Sequence, residues 1–524
     1  MRTAMLKNEQ GQTKTFRRVL IANRGEIAIR IIRTLRDMGI QSVAVYSEAD
    51  ADSLHVSMAD YALCLPGTSS ADTYLNIPLL LSCIRESGAD AVHPGYGFLS
   101  ENADFADAIA KQTQAKFIGP GEKAIRVMGD KVSAKKLLRA HQIPLVPGSH
   151  GPLQDYLEFE EMAREFGFPL ILKASAGGGG RGIRIVHEAS EMRAAFEACQ
   201  REAQSYFRNP ALFCERFIQD PRHIEVQVLF DEWGHGVHLF ERDCSLQRRQ
   251  QKIFEEAPSL YLDETKRQRL GELAVKIASL VDYSGVGTVE FICESPEKIY
   301  FMEMNTRIQV EHPVTEMITG LDLIEEQIRV ASGQRLRWAQ KEIHRKGWCL
   351  EARINAEDPL LDFAPSPGRV THLRLPSGPH VRVDSHLYSG YAIPSFYDSM
   401  LAKVIVWGSD RDEAVRRLRR ALREFELGGL ACTVKFHEAL LSHPDFLEGN
   451  FSTGFLENKK QELLSLMKSS PVESLKSEGM DTEEDLLAAL SAVILMQSFE
   501  NESSNGMNKP VLWGKKARME STTQ

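Results

Sequence analysis

The chain has 524 residues, 43% hydrophobic and 26% charged, with a formal net charge of −9 and a pI near 6.0. That length suggests two to four domains with ample core, and the acidic balance gives no electrostatic reason to expect a nucleic-acid partner. No run approaches the roughly 18 apolar residues of a membrane span, and the opening MRTAMLKNEQGQTKTF lacks the apolar core of a secretory signal. Eight cysteines stand singly, with no CxxC pair. Reduced thiols in a cytoplasmic or equivalent compartment are therefore expected. Cys244, in ERDCSLQRR, has two readings: a thiol with a pKa lowered by cations, or a small buried residue. The second is preferred.

In chain order, VLIA reads as a strand and EIAIRIIRTLRDM as a helix with apolar residues at Ile27, Ile31, Leu35 and Met38, closed by Gly39. SVAVYS is a second strand, so the opening is a βαβ unit and a parallel sheet. The NRGE turn lacks the G-x-G-x-x-G fingerprint, and no NAD is inferred. Alternation continues through a helix around 74–87, the strand ADAVH, the loop PGYGFLSEN, a helix near 102–111 and the strand KFIGP. A second region starts at Gly129-Asp130-Lys131, with a small unit from 150 to about 217 and a strand-rich stretch from 212. Residues 348–455 form a third unit with one strongly amphipathic helix, RDEAVRRLRRALREFE. After 457 the composition turns polar and linker-like, with an amphipathic helix predicted over 483–499.

Within GTVEFICESPEKIYFMEMN, a tight symmetric hairpin centred on Pro296 and Glu297 places Glu290 opposite Glu303, with Asn305 on the face of Glu303. Two carboxylates and an amide oxygen suit Mg²⁺; a solvated strand face is the alternative. In NTRIQVEHP, Asn305, Arg307, Gln309 and Glu311 occupy every second position, and an extended segment would aim all four one way. Arg307 would hold a planar anion and Glu311 would take a proton; His312 reads as structural. HIEVQVLF alternates His223, Glu225 and Gln227 with apolar residues, the pattern of a strand facing a wet cleft or plain solvent. Arg242, Arg248, Arg249 and Lys252 fall within eleven residues, an anion site or a solvated basic surface. In KASAGGGGRGIRIV the four glycines Gly177 to Gly180 are flanked by two strands. No helix follows, which excludes the Walker and Rossmann loops. A mobile hairpin tip near phosphates remains, with Lys173 at its base.

Those blocks, with RRVLIANRGEIAIR, HPGYGFLSEN, MGDK, ERDCSLQRR and EARINAEDP, resemble the biotin carboxylases, a group of ATP-grasp enzymes, from about Phe16 to Gly454. The resemblance implies an α/β and α+β multidomain fold. It would have a Rossmann-like N-terminal domain (16–128), an ATP-grasp domain (129–335, mobile lid about 146–217) and a C-terminal biotin carboxylase domain (348–456), before a tail over 457–524. It implies that Lys131, Lys173, Gly179, Gly180, Glu215, Arg216, Phe217, Ile218, His223, Gln247, Gln250, Glu290 and Glu303 bind ATP. Glu290, Glu303 and Asn305 would hold Mg²⁺ or Mn²⁺. Lys252, Arg307, Gln309, Val310 and Glu311 would form the bicarbonate site, and Arg353, with Tyr96 bordering, the biotin site. Lys252, Arg307, Glu311 and Arg353 would carry the chemistry. Gln250 and Ala176 stand where some relatives have histidine and glycine. Met467-Lys468 has helical or linker-like surroundings and is not read as a biotin attachment site. The biotin is expected on a separate carrier protein, with carboxyltransferase subunits as further partners and a homodimer as the family habit. Another ATP-grasp carboxylate ligase and a non-catalytic scaffold are the alternatives.

Overall fold

In the computed structural model the described residues are 16–174, 182–207 and 209–468. Gly177 to Gly180 and the helix expected over 483–499 lie outside them. Apart from the end of the helix Lys460–Lys468, the elements below belong to one compact unit.

The first layer is a parallel sheet of β1 (Arg18–Ile21), β2 (Gln41–Ser47), β3 (Tyr61–Leu65), β4 (Ala91–His93) and β5 (Lys116–Phe117), ordered β3-β2-β1-β4-β5. The helix Gly25–Asp37 buries Ile27, Ile31 and Leu35, the i, i+4 stripe legible in the sequence. Strand order reverses between β1 and β4. Their carboxyl ends flank a crevice, the usual place for a ligand in such sheets. Asn23 closes it by donating from Nδ2 to the carbonyls of Pro94 (2.8 Å) and Tyr96 (2.7 Å).

A small antiparallel sheet follows, ordered β7-β6-β8, from β6 (Leu170–Ala174), β7 (Ile183–Val186) and β8 (Leu212–Arg216). Lys173 faces Ile183 on one side and Phe213 on the other. The strands flanking the glycines thus pair as a hairpin. Phe159, Leu172, Cys199 and Cys214 belong to a separate core cluster beneath this sheet.

The largest sheet has eight antiparallel strands. Six are β9 (Arg222–Phe230), β10 (Gly236–Arg248), β11 (Gln251–Ala257), β12 (Gly285–Ser295), β13 (Lys298–Asn305) and β14 (Trp348–Asn355). The order is β13-β12-β9-β10-β11-β14, then the strands Met400–Gly408 and Val381–Ser385. One sheet therefore joins segments on both sides of residues 306–347.

Two expectations fail here. β9 is buried along its whole length, so His223, Glu225 and Gln227 face no open cleft; they are held between β10 and β12 and must find partners inside. The row from Asn305 to Glu311 is not extended either. β13 ends at Asn305, and the helix His312–Thr319 begins with Glu311 at its N-cap and Pro313 in its first turn. The four side chains converge through a bend instead of strand alternation. At the far end, where the composition reads as linker, the chain stays helical over Lys460–Lys468, with Leu463 buried. Met467-Lys468 closes that helix and does not form a β-turn.

Candidate functional site

Four neighbouring strands build a charged row. Arg242 of β10 faces Glu225 of β9, Glu225 faces Glu290 of β12, and Glu290 faces Glu303 of β13. The Glu290–Glu303 pairing holds although a bulge at Met302 breaks the hairpin's symmetry just beyond it. Directly opposed residues share a sheet face, and like charges there repel. Three carboxylates in a line therefore demand cations. Arg242, with no exposed surface, uses its whole fork: Glu225 (2.6 Å), Gln227 (2.6 Å), Thr315 (3.1 Å), Thr288 (3.1 Å) and Gln309 (2.6 Å). Lys252 Nζ donates to Glu225 (2.5 Å), Glu290 (2.9 Å) and Glu311 (2.7 Å). Burial alone would raise the carboxyl of Glu290, but Lys252 and then His223 outweigh it and hold it well below the carboxylate range.

Glu303 lacks such cover. Burial and then the charge of Glu290 push its carboxyl up, with Lys131 opposing. Asn305 completes the group, donating from Nδ2 to Glu290 at 2.8 Å while its Oδ1 accepts from Arg307 at 2.9 Å. Two facing carboxylates, Glu290 buried and Glu303 half-buried and under-neutralised, fit a hard divalent cation, with the Asn305 amide beside them and its oxygen turned to Arg307.

Residues 307–311 are pinned from several strands. Arg307 donates to Asn305 and, from Nε, to Glu101 at 2.9 Å. Gln309 accepts from Arg242 and donates to Glu290 at 2.7 Å. The carbonyl of Val310 accepts from Lys403 at 2.9 Å. Glu311 lies between Lys252 and Arg353, the latter at 2.9 Å. Burial would raise its carboxyl, but Lys252 and Arg353 prevail over burial and Glu225, so Glu311 is held ionised. His312, fully buried with Nδ1 2.8 Å from the Gln309 carbonyl, is pushed well below its usual range by burial and then by Lys403, Arg30 and Arg382. It stays neutral and structural, as expected.

At the other end, Glu215 joins Lys173 (2.6 Å) and Lys135. Lys131, one helical turn before Lys135, is exposed. The i, i+4 spacing of two lysines after Asp130 was the signal for Lys135, which sequence reading missed. Arg216 turns aside to Glu294 at 3.1 Å, Phe217 bonds through its backbone to Pro169 at 3.0 Å, and Ile218 is buried. His223 Nε2 lies 3.0 Å from Glu290, and its Nδ1 meets Gln247 Nε2 at 3.0 Å. Gln250 is exposed between β10 and β11, at φ +65°. The basic set splits: Arg242 and Lys252 point inward, Arg248 pairs with Glu357 (2.9 Å), and Arg249 pairs with Asp362 (2.8 Å) on the surface. Cys244 is fully buried, and burial followed by Glu225 pushes its thiol well above its normal range. The cations nearby are spent on carboxylates, so the activated-thiol reading fails. Tyr96 donates its hydroxyl to Glu26. Arg353 donates from Nε to Glu255 at 2.6 Å.

The Glu215 pairing makes a pH prediction. Burial would raise its carboxyl, but Lys173 and Lys135 outweigh burial and bring it from 4.5 to about 2. A depressed folded pKa stabilises above the unfolded value and is lost as pH falls through the folded one. The melting-temperature gap between wild type and Glu215→Gln should be constant above pH 4.5 and narrow as pH falls towards 2. A gap that does not narrow would show that the lysines do not hold this charge.

Comparison with known proteins gives three consecutive family matches. "Biotin carboxylase, N-terminal domain" matches residues 15–125 and "Carbamoyl-phosphate synthase L chain, ATP binding domain" matches 130–339. "Biotin carboxylase C-terminal domain" matches 351–458. The biotin carboxylase of Nostoc sp. is 51% identical over 442 residues, 84% of this chain and 99% of that protein. The chain belongs to the biotin carboxylase family. Biotin carboxylase 1 of Bacillus subtilis is 52% identical over 443 residues, 84% of this chain and 98% of that one. Among solved structures, the biotin carboxylase domain dimer of Hydrogenobacter thermophilus 2-oxoglutarate carboxylase, in complex with MgADP, ADP and bicarbonate, superposes with a TM-score of 0.82 at 45% identity. It covers 87% of this chain and all of that one. The biotin carboxylase of Campylobacter jejuni also gives 0.82, at 44% identity over 84% of this chain and 99% of that one. Like other biotin carboxylases this chain is an ATP-dependent ligase, and among its described residues no helix is long and apolar enough to cross a membrane.

Proposed function

We propose that the chain uses ATP and bicarbonate to carboxylate biotin carried on a separate carrier protein, the first half-reaction of a biotin-dependent, acyl-CoA type carboxylase. The observation that carries this reading is Glu311, an ionised carboxylate held between Lys252 and Arg353. Bicarbonate beside Lys252, Arg307, Gln309 and Val310 would lose its O–H proton to Glu311. The freed oxygen would attack the γ-phosphorus of ATP, breaking the bond to the bridging oxygen and giving carboxyphosphate and ADP. Lys131 and Lys173, with Lys135 one turn on, would neutralise the phosphates. Glu290, Glu303 and Asn305 would hold Mg²⁺ or Mn²⁺, which when bound offsets charge on the phosphoryl oxygens.

Glu215 to Ile218, His223, Gln247 and Gln250 would border the nucleotide, and Gly179 and Gly180 would cover it. Carboxyphosphate would part into CO₂ and phosphate; the phosphate would take the biotin N1 proton as N1 attacks CO₂. Arg353 would stabilise the ureido oxygen, with Tyr96 bordering that subsite. In this reading residues 16–128, 129–335 and 348–456 are the three working domains. The chain acts as a cytoplasmic homodimer with carrier and carboxyltransferase partners. The purified chain with free biotin should release ADP only when bicarbonate is present. A folded protein giving no ADP above background would overturn the proposal.

A further inference from the structure

Glu26 and Lys403 form a buried charged pair that the reaction above leaves unused. Glu26 stands in the first turn of the helix Gly25–Asp37, at the carboxyl end of β1. Lys403 lies in the strand Met400–Gly408, and none of its side chain reaches solvent. Its Nζ is 3.0 Å from Glu26 Oε1 and donates to the Val310 carbonyl at 2.9 Å. The Tyr96 hydroxyl donates to the same Glu26 oxygen. Within the sheet Lys403 stands directly opposite Arg353, so the two cations leave one face side by side. Arg353 reaches the carboxylate of Glu311, and Lys403 reaches the carbonyl of the residue before it.

A buried ammonium is costly, and a well-packed apolar side chain would fill a strand position without that cost. Packing alone therefore does not account for this lysine. Burial draws its pKa down, but Glu26, Glu351 and Asp384 outweigh burial, so the amine stays charged. The bond it makes falls on the one residue of 309–311 whose neighbours are both gripped by their side chains: Gln309 by Arg242, and Glu311 by Lys252 and Arg353. Val310 has only its backbone to offer, and Lys403 takes it.

We infer that Glu26 and Lys403 are positioning residues for the bicarbonate subsite, fixing the Val310 carbonyl and joining that backbone to Tyr96 across the sheet. The inference rests on the reaction proposed above. It acts through geometry: a backbone shift at 310 re-aims Gln309 and Glu311 together, and small misplacements of such groups are expensive in rate. It joins three distant segments, the NRGE turn, the PGYGF loop and the C-terminal strands, around one anion.

The test uses the full-length chain and the bicarbonate-dependent ADP release assay, with KM measured for bicarbonate, ATP and biotin. Lys403→Met should raise KM for bicarbonate roughly 10-fold or more while KM for ATP stays near wild type. Glu26→Gln, which keeps shape and removes charge, should raise KM for bicarbonate and for biotin severalfold and again spare ATP. A purely structural role would move all three constants in parallel, and that result overturns the inference. If Lys403→Met does not fold, Glu26→Gln decides, and an unchanged KM for bicarbonate overturns it. A wild type that releases no ADP refutes the reaction itself, whereas a turning-over wild type with unshifted variants refutes only the positioning role.

Discussion

Glu311→Gln is expected to lower bicarbonate-dependent ADP release roughly 100-fold or more, the range that a positioned general base contributes. The amide keeps the shape and still accepts a hydrogen bond from Lys252 or Arg353, so the pocket should stay assembled. What it loses is the negative charge that makes Glu311 a proton acceptor. Lys252 retains Glu225 and Glu290, and Arg353 retains Glu255, so neither cation is stranded. Nucleotide binding should persist, because Lys131, Lys173, Lys135 and Glu215 belong to other elements. The measurement is steady-state ADP release alongside calorimetric titration with MgADP. Full activity in the variant would remove Glu311 as the base. Loss of nucleotide affinity in step with activity would mean that the substitution disrupts the site as a whole.

Arg242→Met should produce the largest loss of stability of any single change in the site, about 3–5 kcal/mol, the cost of breaking a buried ion pair by removing one partner. Arg242 makes five hydrogen bonds to five different residues, and the methionine makes none. Glu225 would keep Lys252 but lose its second cation in a fully buried strand, and Gln227 and Gln309 would each lose a partner. Removing the stranded charge as well, in Arg242→Met/Glu225→Gln, should recover part of the loss. The recovery separates the charge penalty from lost packing. Thermal and urea unfolding of the wild type, the single variant and the double variant would check this. A single variant as stable as wild type would show that the row across β10, β9, β12 and β13 is held by other means.

Much of the architecture was legible because local spacing is a local property. The 3.6-residue stripe of Ile27, Ile31 and Leu35 requires a helix with one buried face wherever it packs. The Glu290–Glu303 pairing followed from a short turn alone and survived a bulge, since one strand's register against its hairpin partner depends on few residues. The motif blocks supported the family, and the comparisons bear it out.

What the sequence could not decide was burial and partnership. HIEVQVLF alternates like a half-exposed strand, yet β9 is buried on both faces: Ile224, Val226 and Val228 join an apolar core, and Glu225 and Gln227 meet Arg242 and Lys252, which reach on to Gln309 and Glu311. The Arg–Lys run looks like one basic patch, yet two of its cations serve carboxylates inside the sheet. Arg242 meets Gln309 across 67 positions, and Lys252 meets Glu311 across 59. Cys244 is the buried thiol that the sequence reading preferred, and its cationic neighbours are neutralised by carboxylates. The sequence by itself determined the elements, their order and the chemistry available. Only the tertiary structure decided which charges face each other, because the pairing of distant segments sets the local dielectric, and burial makes each unpaired charge too costly to leave alone.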